Sequence, residues 1–149
     1  MKFWRLACAG VALLFSALAG KGQNLVSNPS FEEGTTQPAA WTLAYGTGRW
    51  ESFGNSGNRS VSVIGAGECG PQWRTTGCPV QPGKLYVARF WMMASNAATL
   101  QAFAGWDRVN RNISVDEPWR TYILVAAMPS NLVNPVLRFG QCRAIGAVG

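Results

Sequence analysis

The sequence holds few of the side chains that catalysis most often uses. It contains no histidine, the commonest general base near neutral pH, so no Ser–His or Cys–His pair can form. Glycoside hydrolysis needs two carboxyl groups held across a cleft. Glu32 and Glu33 are neighbours and point to opposite faces of a strand, while Asp116 and Glu117 lie in a turn before Pro118. We therefore expect that the chain is not an enzyme.

Tryptophan and arginine are the side chains that stand out instead. There are 7 Trp in 149 residues, and the net charge is +6. The arginines are scattered singly, whereas a nucleic-acid-binding protein usually concentrates basic residues on one face or in one run. We expect no nucleic-acid partner. With 48% apolar and 13% charged residues, the chain is expected to fold as one ordinary domain.

The elements that must position these side chains are predicted to be strands. Short runs rich in β-branched and aromatic residues recur between clusters of Gly, Pro, Asn and Ser, and no amphipathic helix or internal repeat is visible. The predicted strands are Trp41–Tyr45, Arg49–Phe53, Ser60–Ile64, Gln72–Thr76, Lys84–Ala94, Thr99–Trp106, Trp119–Ala127 and Pro135–Gln141. Strands at this spacing favour an all-β, antiparallel sandwich.

Strand alternation sorts the side chains between two faces. In Lys84–Ala94 the drier face, predicted to be the core, carries Tyr86, Ala88, Phe90 and Met92. Arg89 and Trp91 share the opposite face, and an arginine beside a tryptophan on an outward surface indicates a binding role. The alternation around Arg138 turns that side chain outward as well.

The first residues resemble a secretory signal. Two basic residues precede an almost wholly apolar run, Leu6–Leu18, which ends in the small residues of Ala17–Ala19. This pattern predicts cleavage near Gly20, so residues 1–19 form the signal peptide and residues 20–149 a single module. The apolar run is too short for a comfortable membrane span. The mature protein is expected outside the cell or in the periplasm.

Export to an oxidising compartment favours one disulfide bond among the three remaining cysteines. Cys69 and Cys78 bracket a turn-rich segment and are the favoured pair. Cys142 with either of them is the alternative. One thiol is left over in each case.

Four motifs resemble, in order, the carbohydrate-binding modules of the family 4/9/16/22 type. They are Asn24–Gly34 followed by Trp41, Gly57–Val63 with its Gly-x-x-Ser-x-x-Val spacing, Val80–Tyr86 with Pro-Gly-Lys-x-Tyr, and Pro118–Tyr122 with the late Trp. The resemblance covers nearly all of the mature chain. It implies a galactose-binding-like jelly-roll β-sandwich that binds a polysaccharide or oligosaccharide as a monomer, without chemistry, as an accessory to a glycoside hydrolase.

One departure concerns the end of the sandwich. Family members close with a strand that carries a pair of Asp residues and often helps to hold a structural calcium ion, but residues 144–149 contain no acid. Either the sequence stops before that strand or this member lacks the calcium site. Glu32 matches the family's opening carboxylate, as a calcium ligand or as an acceptor of backbone hydrogen bonds near the N-terminus. Calcium takes six to eight oxygen ligands, so one carboxylate is few.

The resemblance also indicates which side chains face a sugar. Rings that lie against pyranose faces and polar groups for the hydroxyls are expected on the concave sheet face or at the loop rim. The candidates are Arg89 with Trp91, Trp106 near a strand end, Trp50 in a Gly-rich stretch, and Arg138. The alternative function is a cell-surface or matrix module of the same fold that binds protein through exposed Trp. Which sugar is bound does not follow from the sequence, because stacking tolerates many pyranoses.

Overall fold

The computed structural model describes residues 22–66, 70–94, 101–106, 109–133, 135–142 and 145–148. In these ranges the chain forms ten strands and no helix. The strands are β1 Trp41–Ala44, β2 Thr47–Glu51, β3 Ser60–Ala66, β4 Gln72–Thr75, β5 Leu85–Met92, β6 Gln101–Trp106, β7 Val109–Ser114, β8 Arg120–Ala127, β9 Leu137–Cys142 and β10 Ile145–Val148. The described part of the chain accordingly holds no helix that could cross a membrane. The predicted signal segment, residues 1–19, lies outside the described ranges.

The strands form two layers. One layer is a five-stranded sheet with the order β1-β4-β9-β6-β7, and the other consists of a three-stranded sheet, β10-β3-β2, and a two-stranded sheet, β5-β8. Every pairing is antiparallel. The protein is therefore an all-β jelly-roll sandwich, and the predicted fold class is confirmed.

Large aromatic side chains fill the space between the layers. The ring centroids of Phe90 on β5 and Phe139 on β9 lie 5.1 Å apart, and those of Tyr86 and Trp106 lie 6.2 Å apart. The indole nitrogen of buried Trp73 on β4 donates to the Ser62 carbonyl of β3, at 3.0 Å. The inner face of the five-stranded sheet thus packs against both smaller sheets, and the outer faces of the two layers point in opposite directions.

The segment before β1 is tied down by one asparagine. The Asn28 side-chain amide donates to the carbonyls of Glu33 and Ala39 at 2.8 and 3.0 Å and accepts from the Glu33 amide at 3.1 Å. Asn28 has a φ of 45°, a left-handed conformation that asparagine tolerates better than most residues. Its carbonyl accepts from the Trp41 indole at 3.1 Å, and Phe31 packs on the same ring at 4.8 Å. The opening motif therefore builds a fold-stabilising corner.

Among the described strands, β3 and β5 of the second layer are not paired with each other. β3 pairs with β10 only at Ile64 and Ala66, and β5 has β8 as its partner among the described strands. A cleft of about 660 Å³ opens between β3 and β5 and reaches core side chains such as Phe90 and Phe139.

Each of the eight predicted strands overlaps an observed one, but two strands were not predicted. β7, with the sequence Val-Asn-Arg-Asn-Ile-Ser, is an edge strand whose polar residues conceal the alternation. β10 is four residues long and contains a glycine. Such strands are defined by their neighbours more than by their own residues.

The favoured disulfide bond, Cys69–Cys78, is wrong. Cys78 is a buried free thiol, and its sulfur accepts a hydrogen bond from the Trp106 indole at 3.5 Å. A pair between Cys78 and Cys142 is excluded for the same reason. Cys69 lies outside the described residues, so the remaining pairing, Cys69–Cys142, stays a prediction.

Candidate functional site

Arg89 and Trp91 project from the outer face of β5, as strand alternation predicts. Arg89 is exposed, and the Trp91 side chain is 48% exposed. Their cross-strand partners on β8 are Ile123 and Thr121. The rest of this face is aliphatic, with exposed Leu85, Val87, Ile123 and Val125. Arg89 and Trp91 also line the cleft between β3 and β5, so Trp91 lies at the border between this aliphatic surface and the cleft.

The structure corrects the expectation for Trp106. This residue is 3% exposed and belongs to the main hydrophobic core. Its indole N–H donates a hydrogen bond to the Cys78 sulfur, and its ring packs against the Tyr86 ring. On β6 its alternation with Gly105 turns it into the sandwich, so it packs in the core and is not part of the candidate site.

Trp50 is half-buried and already engaged on two sides. Its indole nitrogen donates to the Phe31 carbonyl at 2.9 Å, and the Arg59 guanidinium lies 4.4 Å from its ring centroid. Trp50 therefore fastens β2 to the opening segment and to the start of β3, which leaves little of the ring for a ligand.

Glu32 organises the loop that precedes β3. Its carboxylate oxygen accepts hydrogen bonds from the backbone N–H groups of Asn58 and Arg59, at 2.8 and 3.0 Å. Gly57 lies against the same carboxylate, where a Cβ would overlap it. Among the described residues no three His, Cys, Asp or Glu side chains lie close enough together to hold a metal ion. Of the two roles expected for Glu32, the structure shows that of an acceptor of backbone hydrogen bonds, and the donors belong to this loop.

Arg138 lies on the outer face of the five-stranded sheet, on the opposite side of the sandwich from Arg89 and Trp91. Two rows of side chains cross this face in register. One row runs Arg74, Arg138, Gly105, Asn110, and the next runs Gln72, Gly140, Phe103, Asn112. Together with Tyr45 at the end of β1, the side chains of these rows form what we call the polar sheet face.

Aromatic rings hold the two arginines of the polar sheet face. The Arg74 guanidinium carbon lies 5.3 Å from the Tyr45 ring centroid, and that of Arg138 lies 5.5 Å from the Phe103 ring. Because Gly105 has no side chain, Arg138 reaches across it and donates to the Asn110 amide oxygen at 3.1 Å. Cation–π contacts of this kind help to orient a guanidinium group.

Two glycines on the polar sheet face allow other groups to approach the backbone closely. A Cβ on Gly140 would overlap the Phe103 ring and the Pro71 carbonyl, and Gly105 has a φ of 140° that other residues rarely adopt. Glycine inside a strand often marks such a close approach.

Two polar atoms on the polar sheet face are buried without a hydrogen-bond partner. They are the Gln72 amide oxygen and the Arg74 Nε. Gln72 is only 5% exposed. Most buried polar side-chain atoms in proteins are satisfied, so each exception calls for an explanation.

Alternation within Gln72–Thr75 could have indicated these residues, because Trp73 is an obvious core residue and Gln72 and Arg74 then face outward. What the sequence does not contain is the pairing of β4 with β9, which brings Arg74 beside Arg138. Of the predicted site residues, only Arg138 lies on this face.

No family model matches the sequence, and no curated protein is significantly similar to it. Two solved structures share its fold. One is the enzymatically active domain of tailspike protein 4 from bacteriophage CBA120, with a TM-score of 0.54 and 22% identity over 84% of this chain and 20% of that one. The other is the CBM22-1–GH10 part of xylanase 10B from Clostridium thermocellum, complexed with xylohexaose, with a TM-score of 0.51 and 16% identity over 73% of this chain and 24% of that one. The chain thus spans about a fifth to a quarter of the structures it matches.

Proposed function

We propose that this chain is a secreted, non-catalytic module that binds polysaccharide on the polar sheet face. The observation that carries the proposal is the exposed ring of Tyr45, which lies 5.3 Å from the Arg74 guanidinium carbon on the polar sheet face. A ring for stacking beside a hydrogen-bonding guanidinium is what recognition of a sugar requires. The Arg138 guanidinium and the Asn110 amide oxygen, which are joined by a hydrogen bond of 3.1 Å, extend the same surface.

Two further facts support this assignment. The fold is shared with a structure that contains a CBM22 module of a xylanase and bound xylohexaose, and with the enzymatically active domain of a phage tailspike protein. The described residues of the polar sheet face include no pair of carboxyl groups of the kind that glycoside hydrolysis uses. The module would hold glycan for a catalytic partner.

The test compares the two outer faces of the sandwich. Tyr45→Ala removes the 67% exposed ring of the polar sheet face, while Trp91→Ala removes the ring of the opposite face and serves as its matched control. In affinity electrophoresis against a panel of polysaccharides that includes xylan, Tyr45→Ala should weaken retention about tenfold or more, since an aromatic contact of this kind contributes on the order of 2 kcal/mol. Trp91→Ala should bind like the parent protein.

Three results would contradict the proposal. They are retention by no polysaccharide, retention that Tyr45→Ala leaves unchanged, and release of reducing ends by the purified protein. Melting curves of both variants show whether a loss of retention reflects a loss of folding, and both curves should stay near that of the parent because neither ring lies in the core.

The exposed aliphatic face of β5 and β8 favours a second candidate, a module that binds protein. Leu85, Val87, Ile123 and Val125 are each between 49% and 67% exposed, and contiguous apolar surface of this kind marks interaction sites. In that case Trp91→Ala, and not Tyr45→Ala, would abolish capture of a protein from a bacterial surface preparation, and a glycan array would be blank.

A further inference from the structure

We propose that the cleft between β3 and β5 is a second binding site, which takes an aromatic compound that carries a hydroxyl group. The ring of the ligand packs against core-facing side chains that the cleft leaves partly open, and its hydroxyl pairs with the buried amide of Gln141. None of the side chains that form the polar sheet face lines this cleft, so the inference does not rest on the proposed function.

Several side chains that line the cleft remain partly open although they pack on the core. Phe90 on β5 and Phe139 on β9 belong to the margin of the main hydrophobic cluster, yet each is only half-buried, and the same holds for Val61 and Ala88. Apolar surface that stays in contact with water forgoes the free energy that burial provides. A ligand ring seated against Phe90 and Phe139 covers that surface.

One polar side chain interrupts this apolar lining. Gln141 lines the cleft from β9, two residues beyond Phe139 on the same side of the strand, and it is 1% exposed. Its cross-strand partner on β6 is Ala102, whose methyl group makes no hydrogen bond. Neither the oxygen nor the nitrogen of the Gln141 amide has a partner among the described residues. Because a buried amide left unpaired is costly, its place beside a cavity indicates a ligand with a polar group.

The chemistry of Gln141 selects an uncharged polar group. A hydroxyl both donates and accepts hydrogen bonds, so it can pair with either atom of the amide. A carboxylate or ammonium group beside this neutral side chain would be a buried charge without a counter-charge. Arg89 lies at the border of the cleft, on the outer side of β5. An acid bound there would leave the Gln141 amide unpaired.

The walls of the cleft favour an aromatic ring over a sugar as the body of the ligand. The volume of about 660 Å³ lies within the range of roughly 300–1,000 Å³ that small-molecule pockets occupy. A pyranose carries hydroxyls around its ring, and most of them would lose water and meet apolar walls. An aromatic ring has no such groups, and it can pack edge-to-face or offset against Phe90 and Phe139.

The experiment uses two compounds that differ only in the hydroxyl, 4-ethylphenol and ethylbenzene. The proteins are the parent chain, Gln141→Met, Gln101→Met and Ala88→Leu. Gln101→Met makes the same substitution at an exposed glutamine of β6 that does not line the cleft, so it is the matched control. Ala88→Leu narrows the cleft from β5 and leaves the amide in place. Isothermal titration gives the affinities, and a melting curve of each unliganded protein shows that it is folded.

The parent protein should bind 4-ethylphenol about tenfold more tightly than ethylbenzene, since one buried hydrogen bond corresponds to roughly that factor. Gln141→Met should remove this preference by weakening the binding of 4-ethylphenol alone, and Gln101→Met should retain it. Ala88→Leu should weaken the binding of both compounds, because the added methyl groups occupy the space that the ring takes.

Three outcomes overturn the inference. If the parent binds neither compound, the cleft is not a site for aromatic ligands. If the parent binds both equally well, the Gln141 amide does not select a hydroxyl. If the preference persists in Gln141→Met, or if Ala88→Leu leaves both affinities unchanged, the compounds bind elsewhere. Polysaccharide retention enters none of these measurements, so the proposed function stands or fails separately.

Discussion

Gln141 offers a quantitative test of how buried polar groups affect this fold. It is 1% exposed, and neither its amide oxygen nor its amide nitrogen has a hydrogen-bond partner. It lies on β9 with the core residues Leu137 and Phe139 on its own side of the strand, beside the cleft between β3 and β5. Its backbone N–H, by contrast, donates to the Pro71 carbonyl at 3.1 Å.

Gln141→Met should stabilise the protein. The substitution nearly preserves volume and the backbone hydrogen bond while it removes two unpaired polar atoms, each of which costs about 1–3 kcal/mol when it is buried without a partner. A gain of about 2 kcal/mol allows for imperfect packing of the methionine. For a chain of this size that gain corresponds to a rise in melting temperature of about 6 °C.

Thermal and urea unfolding of the parent and of Gln141→Met measure the difference, and Gln141→Glu serves as the opposite control, since a carboxylate in the same place should destabilise strongly. A melting temperature that falls on Gln141→Met would refute the reasoning. It would mean that the amide is hydrogen-bonded in solution, by water or by a ligand held in the cleft.

Two other substitutions test the structural roles assigned above. Trp106→Ala should lower the free energy of unfolding by about 3–5 kcal/mol, the usual cost of truncating a buried tryptophan. A melting curve close to that of the parent would show that Trp106 does not pack in the core. Glu32→Gln should cost about 1 kcal/mol through weaker hydrogen bonds to Asn58 and Arg59, measured by urea unfolding with and without calcium; a loss seen only with calcium would make Glu32 a metal ligand instead.

Local alternation was enough to predict the faces of the long strands. β5 alternates between exposed and half-buried residues along its whole length, because its odd-numbered residues face solvent and its even-numbered residues face the core. The outward positions of Arg89 and Trp91 follow from this period of two alone. The same period did not sort the residues of β6, where Phe103 on the outer side of the sheet and Ala104 on the inner side are both buried.

The opening motif that indicated the fold contributes structure more than recognition. Asn28 ties the loop to Glu33 and Ala39, and Phe31 holds the rings of Trp41 and, through its carbonyl, Trp50. These contacts explain why a resemblance there predicts the sandwich so well. Trp50 was a candidate because it lies in a Gly-rich stretch, and the structure gives that ring a second role, since its indole nitrogen donates to the Phe31 carbonyl of the opening motif.

The polar sheet face could not be assembled from the sequence, because its parts are brought together by pairing between distant segments. Arg74 and Arg138 are 64 positions apart in the chain and adjacent only through the register of β4 with β9. Asn110 reaches Arg138 only because β7, too polar to be predicted as a strand, pairs with β6. From the sequence alone, each of these side chains cannot be distinguished from an ordinary surface residue. Their common face and the rings beside the guanidinium groups are properties of the folded sheet, and they are the reason we propose a binding surface on the opposite side of the sandwich from Trp91.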